Sequence, residues 1–201
     1  MKSLWSYFEN HFTPEECDII SLKCLNNGIK NGFEDGGLGH EGKVNTDIRS
    51  CRIVHIGAED MPDVFQKIIE AVEGANRVWF GGFEISQLKG MDFTEYDVKY
   101  KGKYTEHIDV MWTNKDSNRD ENPVHRKISF TLQLSDPTTY DDGNLVLNAN
   151  DVMDSGQPDL EKIRQQGTLT VFPSWVRHKV TPITRGTRYA LVGWVEGPTW
   201  K

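Results

Sequence analysis

His107 and Asp109 stand two residues apart, a spacing at which one imidazole and one carboxylate can serve the same ion. In an extended strand alternate side chains point to one face, so both can turn toward a metal while Ile108 packs behind. Alone, an H-x-D is weak, because such pairs are more often ordinary surface or core. A second histidine, His178 in the stretch FPSWVRH from Phe172, changes the weighting. Two imidazoles and a carboxylate on one face of a metal leave its other positions open, the arrangement typical of non-haem Fe(II) oxygenases. Three protein ligands with a water also suit zinc, so a zinc hydrolase is the competing chemistry. His11, His40, His55 and His125 lack a partner at ligand spacing and read as structural or surface residues.

Arg188 lies ten residues beyond His178. A guanidinium pairs with a carboxylate through a planar fork that lysine cannot reproduce. A keto-dicarboxylate chelating iron at one end needs such a cation at the other. On a strand, Arg188, Ala190, Val192 and Trp194 share a face, and the small Ala190 leaves room for a ligand. A surface salt bridge is the plain alternative for any arginine, and it is weaker in this register.

Positioning these groups requires strands, and the pattern supplies them. Thr13-Pro14-Glu15-Glu16 is a capping box with proline at the first helical position. It opens a helix whose apolar stripe reads Ile19, Ile20, Leu22 and Leu25. Gly32 to Gly42 reads as a mobile glycine-rich loop without phosphate-loop spacing. A second helix spans about Pro62 to Asn76, with Val64, Phe65, Ile68, Ile69 and Val72 on one face. From Arg77 the period becomes two. Strands are expected at Phe93–Tyr100, Tyr104–Trp112, Lys127–Ser135, Gly143–Asn148, Thr168–Pro173, Arg177–Thr184 and Arg188–Glu196. Asp136-Pro137, Asp141-Asp142-Gly143 and Arg185-Gly186 supply turns between them. Many short strands after two helices indicate a β-sandwich or barrel braced by helices. The chain reads as one domain, 1–201, with helical support over about 1–76 and a β core over about 77–201.

Bulk properties exclude some partners. A net charge of −7 argues against broad binding to nucleic acid or an anionic membrane. The 37% hydrophobic content contains no run long enough for a signal peptide or a membrane span. Three cysteines, Cys17, Cys24 and Cys51, are too few and too badly spaced for a disulfide framework, which suits a reducing cytoplasm.

Three segments carry a family resemblance: YKGKYTEHID from Tyr100, RKISFTLQLSDPTTYDDGNLVL from Arg126, and GTLTVFPSWVRHKVTPITRGTRYALVGWVEGP from Gly167. Together they resemble the prolyl 4-hydroxylase branch of the 2-oxoglutarate/Fe(II) dioxygenases, which includes collagen-type, hypoxia-factor-type and bacterial PKHD-type hydroxylases. The match covers roughly the carboxy-terminal half. Before it, only the pattern TPEEC at the first helix is similar. The resemblance implies a mainly β fold with flanking helices around a double-stranded β-helix, a jelly-roll-like and cupin-like core. It implies His107, Asp109 and His178 as the metal-binding, catalytic set, with Fe(II), 2-oxoglutarate as cosubstrate, O2, and ascorbate in support. Arg188 and Tyr100 then hold the distal carboxylate, and Thr131 faces the same pocket by strand parity. Tyr104, Arg126 and Trp194 stand where that branch contacts its target proline.

Hydroxylation of an unactivated carbon follows, most naturally prolyl 4-hydroxylation of a peptide or protein, with succinate and CO2 as co-products. The polar loop Thr113–Pro123 is expected to close over that peptide. Arginine at position 188 departs from the collagen-type lysine and weakens any claim for collagen-like repeats. Asp109 excludes a halogenase-type site, in which halide replaces the carboxylate. Hydroxylation of another amino acid or small molecule, or a non-catalytic jelly-roll metal-binding module, are the alternatives.

Overall fold

Thr13 opens the first helix as the sequence leads one to expect. Its side chain accepts from Glu16 N while Glu16 Oε2 accepts from Thr13 N, so two orphan donors of the helix start are satisfied. Thr13→Ala is expected to lower the stability of the chain by about 1 kcal/mol in a denaturant titration. The structure, a computed structural model, describes residues 1–38, 43–110, 124–148 and 156–200. The loop Thr113–Pro123 and His40 lie outside the described residues.

In chain order the elements begin with β1 (Ser6–Phe8), α1 (Pro14–Asn31), β2 (Glu34–Asp35), β3 (Gly37–Leu38) and β4 (Lys43–Val44). Next come β5 (Arg49–Ser50), β6 (Arg52–Gly57), α2 (Pro62–Ala75), β7 (Gly90–Asp97) and β8 (Lys103–His107). β9 (Val124–Gln133), β10 (Asp141–Asp142), β11 (Leu145–Asn148) and α3 (Leu160–Ile163) follow. The last four are β12 (Leu169–Pro173), β13 (Arg177–Val180), β14 (Ile183–Arg185) and β15 (Thr187–Pro198).

Seven strands form one antiparallel sheet in the order β1-β12-β9-β15-β7-β6-β2, and four form another in the order β11-β13-β8-β5. Apart from β6 and β7, neighbours in these two sheets are non-consecutive in sequence, and with a cavity lined from both sheets this makes the double-stranded β-helix expected of the chain. One face of the large sheet carries Phe93, Phe130, Leu132, Val171 and Leu191, which pack with the helices into the main core. Its alternate residues turn inward, toward the small sheet.

Several expectations need correction. The first 76 residues are not only helical support, because β1, β2 and β6 join the large sheet and β5 joins the small one. Arg52-Ile53-Val54-His55-Ile56 is rich in β-branched residues, and burying Val54 and Ile56 on one face fixes it as a strand. The glycine-rich stretch contains β2 and β3 and runs toward β4, with 39–42 outside the described residues. In α1 the buried stripe is Cys17, Ile20 and Cys24, while Ile19 is 55% and Leu22 60% exposed. The three cysteines are free and buried.

Strand ends also shift. β7 stops at Asp97, whose carboxylate accepts from Lys99 N and starts a 3-10 turn over Val98–Tyr100. The expected Arg177–Thr184 strand divides into β13 and β14 around Pro182, which has no N–H for the ladder. Gly186 joins β14 to β15 at φ +72, and a Cβ there would lie 2.2 Å from Thr139 O, so only glycine fits the turn that leads to Arg188. No helix among the described residues is long and apolar enough to cross a membrane.

Candidate metal centre

The register of the small sheet brings the two histidines together. His178 of β13 is the direct cross-strand partner of His107 of β8, and their ring centroids are 4.2 Å apart. Asp109 lies beyond the end of β8, so the sheet ladder does not place it. Two serines do. Asp109 N donates to Ser174 O at 2.8 Å, and Ser129 Oγ donates to Asp109 Oδ2 at 2.7 Å. Ser129 Oγ also lies 2.9 Å from Ser174 Oγ, and both serines are buried. His107 Nε2 then stands 3.6 Å from Asp109 Oδ1, and His178 Nε2 stands 3.3 Å from Asp109 Oδ2.

The far sides of both rings settle which nitrogen faces inward. His107 Nδ1 lies 2.7 Å from Thr105 O and His178 Nδ1 lies 2.9 Å from Val176 O. A carbonyl only accepts, so each Nδ1 carries a proton and Nε2 is the nitrogen left to offer a lone pair to a metal. Before a metal arrives, burial alone would lower the His178 pKa, but Asp109 and the Val176 carbonyl raise it. Two lone pairs and a carboxylate, all within 4.8 Å of one another, form an electron-rich cluster that a divalent cation fits. Burial, then the charge of His178, lowers the His107 pKa to about 4. Burial alone would raise the Asp109 carboxyl, but His178, His107 and Ser129 together hold it well below the ordinary carboxylate range. Among the described residues this is the one such group of three or more His, Cys, Asp or Glu. Ser129→Ala is expected to weaken Co(II) binding by about 10- to 100-fold, as for other partners that orient a ligand. Absorbance titration of the folded variant checks this.

The other residues divide. Tyr104, Thr131 and Trp194 line the cavity over the triad, with Tyr104 stacked on His107 at 3.5 Å between centroids. Arg126 does not line it, but its guanidinium sits 3.7 Å above the Trp194 ring. Burial lowers the Arg126 pKa, against the pull of Asp109, Asp92 and Glu196. Arg188 also stands off the lining, buried, with its guanidinium carbon 5.7 Å from the ring of Tyr96, which does line the cavity.

Tyr100 is a correction. Its hydroxyl donates to Glu95 at 2.8 Å for the backbone oxygen and 3.0 Å for the side chain. Glu95 pairs with Tyr189 and Tyr96 with Arg188, so alternation puts Glu95 and Tyr100 on the opposite face of the sheet from Arg188. The 3-10 turn after Asp97 carries Tyr100 back over that face.

Arg49 and Tyr96 line the cavity and were not foreseen. Arg49 comes from β5, paired with Tyr104, and its guanidinium lies 4.9 Å from that ring. A strand in the amino-terminal third was the missing signal. Ser129 and Gln133 share strand parity with Thr131, so that inference could have included them.

A family model for the 2OG-Fe(II) oxygenase superfamily matches residues 91–196, more than half of the chain. A PKHD-type hydroxylase of Maricaulis maris is 43% identical over 68 residues, 34% of this chain and 28% of that protein. One from Synechococcus elongatus is 30% identical over 132 residues, 65% of this chain and 53% of that protein. The chain thus spans at most about half the length of these curated relatives. A prolyl-4-hydroxylase of Pseudomonas putida superposes with TM-score 0.70 at 23% identity, covering 96% of this chain and 92% of that one. A Trichoplax adhaerens prolyl hydroxylase, solved with a hypoxia inducible factor peptide fragment, gives 0.72 at 20% identity, covering 96% and 83%. These structures share the fold, and the sequence match extends through the segments that carry His107, Asp109 and His178 to the strand that carries Arg188: the chain belongs to the 2OG-Fe(II) oxygenase superfamily.

Proposed function

We propose that the chain is a 2-oxoglutarate- and Fe(II)-dependent hydroxylase acting on proline in a peptide or protein. The convergence of His107, Asp109 and His178 beneath a cavity carries the reading. When bound, iron(II) with 2-oxoglutarate and O2 supplies the oxidation that places a hydroxyl on an unactivated carbon, with succinate and CO2 as co-products and ascorbate in support.

The chain's own residues hold and orient. His107, Asp109 and His178 hold the metal, their inward lone pairs fixed by the carbonyls of Thr105 and Val176 and by Ser129. Arg188 offers a buried guanidinium with no described carboxylate within 4.0 Å, a place for the distal carboxylate of 2-oxoglutarate. Phe172, Val180 and Val192 give the cavity apolar walls that exclude water. Tyr104 and Trp194 present aromatic faces to a pyrrolidine ring, and Arg126 can donate to a peptide carbonyl. The PKHD-type relatives and the peptide complex of the Trichoplax enzyme support a peptide or protein substrate.

Mass spectrometry of proline-containing peptides incubated with the chain, Fe(II), 2-oxoglutarate and ascorbate tests this. Gain of one oxygen on proline, dependent on 2-oxoglutarate, is the expected result. Hydroxylation of free amino acids alone would replace the peptide assignment, and no turnover of 2-oxoglutarate would end the oxygenase reading. Arg126→Ala and Trp194→Ala are expected to reduce peptide hydroxylation far more than metal or 2-oxoglutarate binding. If Trp194 only packs the sheet, its loss instead costs about 3–5 kcal/mol of stability, which a thermal melt detects.

A further inference from the structure

Beyond Tyr96 the large sheet ends in buried hydrogen-bond donors that outnumber their acceptors. Arg188 is 4% exposed, Gln133 2% and Tyr140 1%. Arg188 Nε donates to Gln133 Oε1 at 2.9 Å. Gln133 Nε2 donates to Ser135 O and to the Tyr140 hydroxyl oxygen, each at 3.0 Å.

A guanidinium can only donate, so the amide must turn its oxygen to Arg188 and its NH2 toward Ser135 and Tyr140. The Tyr140 hydroxyl therefore accepts from Gln133, and no described residue receives its own proton. The other nitrogens of Arg188 likewise have no described carboxylate within 4.0 Å. Both unspent donor sets belong to partners of one amide, so they end close together. Buried donors gathered around one amide whose own oxygen is already engaged call for an acceptor with several lone pairs.

The surroundings hold this arrangement still. Gln133 is the cross-strand partner of Ala190, whose methyl leaves space for the long side chains on either side. Tyr140 is clamped by Arg164, which lies 4.7 Å from its ring and donates through Nη2 to Tyr140 O at 3.4 Å. A carboxylate at position 133 would have the same shape as the amide, yet it would pair with Arg188 and fill the anion site from within.

We propose that Gln133, backed by Tyr140, is the positioning residue that engages the Nε of Arg188, presents its terminal nitrogens to ligand, and selects a keto acid bearing a second, distal carboxylate. This rests on the 2-oxoglutarate reading above and adds to it a determinant of cosubstrate choice. A neutral amide is essential to the role, because it orients the cation without neutralising it.

The test is calorimetric titration of the full, Mn(II)-loaded chain with 2-oxoglutarate and with 2-oxobutyrate, which has no distal carboxylate. Mn(II) affinity and a thermal melt are measured alongside. Gln133→Glu is expected to bind 2-oxoglutarate about 100-fold more weakly or worse, with 2-oxobutyrate changed by less than about twofold. Its Mn(II) affinity and melting temperature should match or exceed the parent's. Tyr140→Phe, which removes only the hydroxyl, is expected to weaken 2-oxoglutarate about fivefold to tenfold and to spare 2-oxobutyrate. Should Gln133→Glu not fold, the Tyr140→Phe selectivity decides. A folded Gln133→Glu, or failing that a folded Tyr140→Phe, that keeps the parent's preference for the dicarboxylate overturns the role of Gln133 alone. A parent chain that binds Mn(II) but not 2-oxoglutarate overturns the hydroxylase reading, and this inference with it.

Discussion

Asp109→Ala should abolish hydroxylation and weaken Co(II) or Mn(II) binding by more than about 100-fold, while the chain stays folded. Outer partners of a metal ligand typically matter by about 10- to 100-fold, and Asp109 is the one anionic group of the three, so its loss must exceed that range. Without it, two neutral imidazoles face a cation with no compensating charge. The fold has reason to survive. Ser129 Oγ already lies 2.9 Å from Ser174 Oγ, so its hydroxyl keeps a buried partner when the carboxylate is gone. Nor does Asp109 belong to the ladder of β8, which ends at His107. Absorbance titration with Co(II), a thermal melt and the peptide assay give the three readouts. Strong Co(II) binding by a folded Asp109→Ala would remove Asp109 from the metal set.

Arg188→Met should separate stability from cosubstrate binding, with the two moving in opposite directions. Removing one partner of a buried, charge-assisted pair costs about 2–5 kcal/mol, which is about thirtyfold or more in 2-oxoglutarate affinity. Methionine keeps an unbranched apolar stem and so retains most of the packing. In the ligand-free chain the balance differs. The guanidinium is buried without a described carboxylate, and desolvating an ion costs several kcal/mol, whereas orphaning Gln133 Oε1 costs about 1–3 kcal/mol. The melting temperature is therefore expected to hold or rise while 2-oxoglutarate binding collapses and metal binding persists. A variant that melts well below the parent and still binds 2-oxoglutarate normally would show that Arg188 is a structural residue.

Opposite shifts of this kind follow from a site assembled in advance of its ligand. Lone pairs gather around the place of a cation, and donors gather around the place of an anion. The two groups are separate, with His107, Asp109 and His178 on the cavity lining and Arg188, Gln133 and Tyr140 off it, Arg188 next to the lining residue Tyr96.

The residues able to do chemistry were legible because chemistry depends on type and short-range spacing. Strand parity puts Arg188, Ala190, Val192 and Trp194 on one face, and their pairing with Tyr96, Thr94, Asp92 and Ser129 shows that face shared across the sheet. The capping box at Thr13 and the second helix were equally legible, since both are set by contacts within a few residues.

Tertiary structure decided what depends on distant partners. Asp109 meets the histidines, but Ser129 and Ser174 hold it there, since the strand whose parity suggested the meeting has already ended. Whether Ile19 and Leu22 or Cys17 and Cys24 face inward depends on where α1 docks, because its sequence offers two apolar stripes. Tyr100 lies within the matching motif, yet the 3-10 turn over Val98–Tyr100 takes it to the other face. Arg49 reaches the cavity only because two residues from the amino-terminal third pair with β8. An edge strand that short has no periodicity of its own; its partner supplies the hydrogen bonds that define it, and that partner lies more than fifty residues away.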